Sequence, residues 1–227
     1  MKVFADGGRL LDAENGEVSV HSCSTPNNLT VLTHLFRELR PKVTLEVGLA
    51  FGASASLFLS LHRLSPPDEG RCHHAIDCLQ HSLWNDCGLR HIRDSGLEPW
   101  FRFHDRASAQ ALPDIQESGV RAGLIYLDGS HLFEDVFVDF YFAHRLLEVG
   151  GVMAFDDSPH PHVLKVIRFI RANFRREYEE LNPYKVTAPG WPEAKWLAAR
   201  ISGRQQLTLF KKREEWARPQ SVAFQDF

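Results

Sequence analysis

The chain has 227 residues, 44% hydrophobic and 24% charged, with a formal net charge of −3. This is the mix of an ordinary globular protein with enough apolar surface to fold without disulfides or metal. It excludes a disordered chain, and it excludes nucleic acid or an anionic membrane as the main partner.

Four cysteines occur with no CxxC pair, and no apolar run reaches membrane-spanning length or resembles a secretory leader, so a cytoplasmic protein with reduced thiols is expected. Residues 1–24 are polar and dotted with glycine, which predicts an irregular lead-in. Thr25 reads as a helix N-cap with Pro26 at the first helical position. Leu29, Leu32, Leu35, Phe36 and Leu39 recur at helical spacing, predicting an amphipathic helix over 26–39 that Pro41 ends. A short apolar strand over 43–47 leads into a glycine loop over 48–52 and a helix over 53–63, stopped by Ser65, Pro66 and Pro67. Then come a strand over 73–77, a helix over 82–96, a strand over 100–104 and a helix over 108–117. A fourth strand over 124–128 precedes a strong helix over 133–148, with Phe133, Val136, Phe137, Phe140, His144 and Leu147 on one face. Gly150-Gly151 turns the chain into a strand over 152–155, and Val163, Val166, Ile167, Ile170 and Phe174 mark another helix. Two late β-like segments, 184–187 and 206–212, are expected to pair at a sheet edge. The alternation predicts one α/β domain over 1–227, a mostly parallel sheet with helices on both faces, and edge strands and tail over 182–227.

Sheets of this kind place their sites at the carboxyl ends of the strands. The residues there are 46–52, Asp77, 104–108, 128–131 and Asp156-Asp157. In the loop, Gly48 and Gly52 allow a tight turn and close approach of a ligand to bare main chain, and the helix that follows offers free N–H groups. A dinucleotide loop reads GxGxxG; here Ala50 stands at the middle glycine. Glu46, two positions before Gly48, suits a ligand with ammonium and sulfonium charges better than one with phosphates. Asp77 can accept both ribose hydroxyls of a nucleoside. Loop and acid together fit an adenosyl ligand, from NAD or S-adenosylmethionine; the plain alternatives are a βα turn and a strand-end cap.

Adding Asp128-Gly129-Ser130-His131 and Gly150-Gly151 with Asp156-Asp157, the sequence resembles class I S-adenosylmethionine-dependent methyltransferases. More narrowly, it is similar to small O-methyltransferases related to the macrocin-type sugar enzymes, over about residues 29–174. The resemblance implies a Rossmann-like, seven-stranded sheet with a late antiparallel edge strand, and methylation of a hydroxyl on a small molecule of sugar or natural-product type. It implies that Gly48 and Gly52 line the methionine part, with Glu46 and Ser54 beside them, that Asp77 holds the ribose, and that Ala107-Ser108 flank the adenine. There His104-Asp105-Arg106 departs from the family's Gly-Asp pattern. It implies that Asp128 borders the cofactor and, with Asp156 and Asp157, binds Mg²⁺, and that His131 is the general base. Residue chemistry agrees: three carboxylates converging from two strand ends repel one another without a cation, hard oxygen ligands favour Mg²⁺ or Mn²⁺, and imidazoles titrate near neutrality. The plain alternatives are a helix cap at Asp128, an Asx turn at Asp156-Asp157 and a carboxylate-bonded His131.

Two other functions stand against this reading. An NAD-dependent oxidoreductase is weakened by the broken GxGxxG and the lack of a Tyr-x-x-x-Lys pair. A non-catalytic S-adenosylmethionine-binding relative is weakened by the intact Asp128, His131, Asp156 and Asp157 set. Cys72, His73, His74, Cys78, His81, Cys87 and His91 fit no zinc spacing. Trp191, Trp196 and Trp216 either wall an acceptor pocket or pack against the sheet, and self-association is left open.

Overall fold

The apolar runs of the sequence become the strands of one sheet. The computed structural model describes residues 4, 8–188 and 190–227. In chain order the elements are β1 (Arg9–Leu11), β2 (Glu17–Ser19), α1 (Pro26–Leu39), β3 (Val43–Val47), α2 (Ala53–Leu64), β4 (Cys72–Ile76) and α3 (Cys87–Asp94). They continue with β5 (Phe101–His104), α4 (Ser108–Glu117), β6 (Ala122–Leu127), α5 (Phe133–Leu146), β7 (Leu147–Phe155) and α6 (Pro161–Asn173). β8 (Tyr178–Leu181), α7 (Tyr184–Thr187), α8 (Pro192–Ser202) and β9 (Thr208–Lys212) complete the chain.

The seven-stranded sheet runs β5-β4-β3-β6-β7-β9-β8. Its first five strands are parallel, and β9 is antiparallel to both β7 and β8. This is the expected Rossmann-like sheet. Strand order reverses between β3 and β6, so the loops after those strands diverge and leave a crevice there. One face buries Leu45, Val47, Ile125, Leu127, Met153 and Phe155 against α4, α5 and α6; the other buries Leu124, Tyr126, Val152 and Ala154 against α1 and α2. Burial on both faces explains why these strands read as continuous apolar runs. Thr25 caps α1 by accepting from the Asn28 amide, as its position before Pro26 predicts.

Four local expectations change. Within residues 1–24, β1 and β2 form an antiparallel hairpin, closed by Asp12 accepting from the amides of Glu14 and Gly16 and anchored by buried Leu10 and Val20. The helix expected over 82–96 shortens to α3, because Asn85 and Asp86 take positive φ just before it. Gly150-Gly151 lies inside β7, which begins at Leu147 and carries an irregular register against β6. Segment 184–187 is a helical turn rather than a strand: Asn182 accepts from the Tyr184 amide and Pro183 sets a helical φ of −66°. The edge strand is instead β8.

Burial also leaves one charge under tension. Asp139, on α5, is 3% exposed. Burial pushes its carboxyl up to about 7; the Ser108 hydroxyl opposes that shift and Asp135 adds to it. The folded protein therefore holds this proton up to about pH 7, whereas the unfolded chain releases it near pH 4. Stability from this group is present at low pH and lost as pH rises through that window. Asp139→Asn should leave stability unchanged near pH 4 and raise it by about 2–4 kcal/mol at pH 8 in urea unfolding. Equal effects at both pH values would contradict the assignment.

Candidate active site

At the carboxyl ends of β3, β4, β6 and β7 lies a cavity of about 590 Å³, within the range of cofactor and small-molecule sites. Residues 48–51 of the glycine loop form one wall, whereas Gly52, expected to line it, does not. Gly48 has φ +94° and Gly52 φ +80°, both in the region that favours glycine. The Gly48 amide donates to the Ile76 carbonyl at 2.9 Å, and the Asp128 amide donates to the Val47 carbonyl at 2.9 Å. These bonds hold the ends of β3, β4 and β6 together across the switch point.

Asp77 borders the cavity but is already engaged. Its Oδ2 accepts from the amides of Leu49 at 3.1 Å and Ala50 at 2.9 Å and from Gln80 Nε2 at 3.1 Å, while Oδ1 accepts from the Leu79 amide at 2.8 Å. The carboxylate thus clamps the glycine loop while lining its ligand side. Ser54 lines the cavity from the start of α2, and Ala107 and Ser108 line it from the start of α4. Glu46 does not line it: it is fully buried behind the loop.

The wall built by β6 and β7 carries a cluster of titratable groups. Asp128, His131 and Asp157 each place one ligand atom within 4.8 Å of the others, the one such group of three found among the described residues. His131 Nε2 is 3.0 Å from Asp157 Oδ2. Burial, reinforced by the charges of Asp156 and Asp157, pushes the Asp128 carboxyl well above the usual carboxylate range.

Residues 45–158, just over half the chain, match the family described as a methyltransferase domain. The chain belongs to this methyltransferase family. Among curated proteins no sequence match is found. Solved structures resemble the methyltransferase in fold at low identity. A Klebsiella pneumoniae protein assigned to the O-methyltransferases superposes with TM-score 0.64 at 16% identity, covering 87% of this chain and 84% of that one. CalS11, a TDP-rhamnose 3′-O-methyltransferase of calicheamicin biosynthesis, gives 0.58 at 17% identity, covering 81% and 78%. An O-methyltransferase from Bacillus cereus, in complex with SAH, gives 0.57 at 18% identity, covering 71% and 75%.

Against this methyltransferase fold, the sequence-derived acids separate into two sets. Asp128 and Asp157 converge with His131. Asp156 faces other partners: Asn28 Nδ2 donates to its two oxygens at 2.8 and 2.9 Å, Gln206 Nε2 at 3.0 Å, the Asp157 amide at 2.8 Å, and the Tyr126 hydroxyl also donates to it. Asn28, Tyr126 and Gln206 were not singled out in the sequence, nor was Ser24, whose hydroxyl lies 3.3 Å from Asp128. The available signal was Asn28 itself, a buried amide at the start of an otherwise apolar helix face. None of Trp191, Trp196 and Trp216 lines the cavity; Arg200 and Arg176 lie over the latter two rings.

Proposed function

We propose that this methyltransferase transfers the methyl group of S-adenosylmethionine to a hydroxyl of a small molecule, of sugar or natural-product type. In this reading residues 1–227 work as one domain. The observation that carries it is the convergence of Asp128, His131 and Asp157 on the wall of the cavity that the glycine loop enters. The chemistry of the lining supports this cofactor. Asp77, Asp135, Asp156 and Asp157 line the wall together with Asp128, against a lone Arg106 as its lysine or arginine among the described residues. Such a field attracts ammonium and sulfonium charge and repels the pyrophosphate of a dinucleotide. It therefore favours methyl transfer over NAD-dependent oxidation.

When bound, S-adenosylmethionine supplies an electrophilic methyl group on a positive sulfur. The residues of the chain supply the rest. The bare main chain at Gly48 and Ser54 of α2 receive the amino-acid end, Asp77 the ribose, and Ser108 the adenine side. His131 Nε2–H donates to Asp157, which orients the ring and stabilises the imidazolium that forms, and the free Nδ1 takes the proton of the acceptor hydroxyl. Holding the hydroxyl in line and close is the main gain available, since charge disappears as the methyl moves.

Asp128 and Asp157 would hold a divalent cation, Mg²⁺ or Mn²⁺ by their oxygen donors, which would lower the acceptor hydroxyl's pKa. The raised Asp128 carboxyl fits a site built to face a cation. Treatment with EDTA should lower methyl transfer to a hydroxyl acceptor at least about tenfold, with recovery on added Mg²⁺ or Mn²⁺, and Asp157→Asn should weaken the metal requirement's half-saturation about 10–100-fold. Activity indifferent to chelator would remove the metal and leave Asp157 as the partner of His131. No helix among the described residues is long and apolar enough to cross a membrane.

A further inference from the structure

The antiparallel strand that closes the sheet brings a neutral amide against the paired acids of the site. β9 pairs with β7, and Thr208 stands opposite Phe155 at the end of the ladder. The same register carried two residues further sets Gln206 opposite Asp157. The main chain keeps that alignment, because the Ser158 amide donates to the Gln206 carbonyl at 3.1 Å. The side chain then reaches both acids. Gln206 Nε2 donates to Asp156 Oδ1 at 3.0 Å and to Asp157 Oδ1 at 2.8 Å. Ionised carboxylates accept and do not donate, so only the nitrogen end of the amide suits them, and its two protons are divided one to each.

The two acids differ in how much else holds them. Asp156 has Asn28 donating to both its oxygens and the Tyr126 hydroxyl besides. The Asp157 carboxylate has only Gln206 and His131 among the described residues. Packing does not fix it: the side chains of Asp157 and His131 are each 42% exposed, and the His160 ring 5.0 Å from His131 is exposed as well. Asp157 also sits at φ +45°, a conformation that an L-residue keeps only with support. The direction of its carboxylate therefore comes from hydrogen bonds. With Oδ1 on Gln206, Oδ2 is the oxygen left for His131 Nε2, at 3.0 Å.

Resting on the methyl-transfer reading above, we propose that Gln206 is a positioning residue: it fixes the Asp157 carboxylate, which in turn holds the His131 ring with its proton on Nε2 and Nδ1 free for the acceptor hydroxyl. The order is amide, carboxylate, imidazole, supplied by the approach to β9, the end of β7 and the loop after β6. β9 thus serves the chemistry as well as closing the sheet. A lysine or arginine at position 206 would also donate, but its charge would cancel the field of the acids. An amide directs Asp157 and leaves that charge in place.

The test reads the His131 tautomer by long-range proton–nitrogen NMR of the imidazole rings, in the EDTA-treated full chain at about pH 9, where imidazoles are neutral. The His131 signals are those lost in His131→Ala. The wild-type ring should carry its proton on Nε2. Gln206→Met, of similar length and without a donor, should lower the ratio of the Nε2–H to the Nδ1–H form about tenfold, toward the value in Asp157→Ala. In the Asp157→Ala background Gln206→Met should change nothing further, because it acts through that carboxylate. Asn28→Ala removes two hydrogen bonds from Asp156 and none from Asp157, so its ratio should stay within about twofold of wild type. Should Gln206→Met fail to give a cooperative thermal unfolding transition, Gln206→Ala carries the same comparison. A wild-type ratio in the Gln206 variant, an equal fall in Asn28→Ala, or a further change in the double variant overturns the proposal. Calorimetric titration of the wild-type chain with S-adenosylhomocysteine checks the reading beneath it separately: absence of binding overturns that reading whatever the tautomers show.

Discussion

Replacing Gly48 by alanine is expected to cost about 3–5 kcal/mol of stability and to abolish binding of S-adenosylhomocysteine. A Cβ at this position would lie 2.1 Å from the Asp128 carbonyl oxygen, 2.7 Å from its carbon and 3.0 Å from the Gly129 Cα. All three are backbone atoms, so no side chain can swing aside. The backbone cannot yield either, because the Gly48 and Asp128 amides are tied to the neighbouring strand ends by hydrogen bonds to the Ile76 and Val47 carbonyls. Relief requires β3 and β6 to part at their carboxyl ends, which opens the crevice on which the site depends. The positive φ adds about 1–2 kcal/mol for any L-residue. Gly119 separates the two contributions: its φ is +79°, yet an added Cβ meets nothing within 4 Å. Gly119→Ala should therefore show the backbone cost alone, and urea unfolding of the two variants side by side reads the difference. If Gly48→Ala is no worse than Gly119→Ala, the close approach of the two loops is not the feature that demands glycine.

The same comparison shows what the sequence could disclose. Gly48 was legible as special because a glycine after an apolar strand has a narrow range of uses. Its reason, the carbonyl of a residue 80 positions later, was not. Local signals fared well throughout: the Thr25 cap, the apolar stripe of α1 and the alternating strands and helices are written in neighbouring residues. What failed had either too few residues or a partner far away. The β1–β2 hairpin has three residues in each strand, too short for alternation to stand out. Residues 184–187 have strand-like composition, but the Asn182 side chain and Pro183 start a helical turn first.

Site residues divide along the same line. Gly48, Gly52, Ser54, Asp77, Ser108, Asp128, His131, Asp156 and Asp157 all follow strand ends, and Glu46 is the penultimate residue of β3, so topology alone brings them near one crevice. Which of them face the cavity is decided by contacts over long separations. Asn28 reaches Asp156 across 128 residues, and Gln206 from the last strand's approach completes the enclosure. No periodicity in the chain encodes that pairing. The adjacent residues Asp156 and Asp157 look equivalent in sequence; a φ of +45° at Asp157 turns its carboxylate toward His131, while Asp156 stays with Asn28 and Tyr126.

That division makes His131 the most informative residue to alter. His131→Ala should lower kcat by about 10²–10⁴, the range for removing a positioned general base, while leaving S-adenosylhomocysteine affinity within about twofold. The fold should survive, since the side chain is 42% exposed. Exposure also allows a chemical rescue: added imidazole can occupy the space of the missing ring and should restore part of the rate. The measurement that separates base from metal ligand is the rate at saturating Mg²⁺. A ligand's loss is repaired by excess metal, because it acts on occupancy; a base's loss persists, because it acts on the proton. Full recovery at high metal would move His131 into the coordination set with Asp128 and Asp157. An unchanged kcat would leave it as a surface imidazole that only bonds Asp157, and the acceptor's proton would then have to leave through Asp128, the one other strand-end group in the cluster whose carboxyl is pushed toward holding a proton.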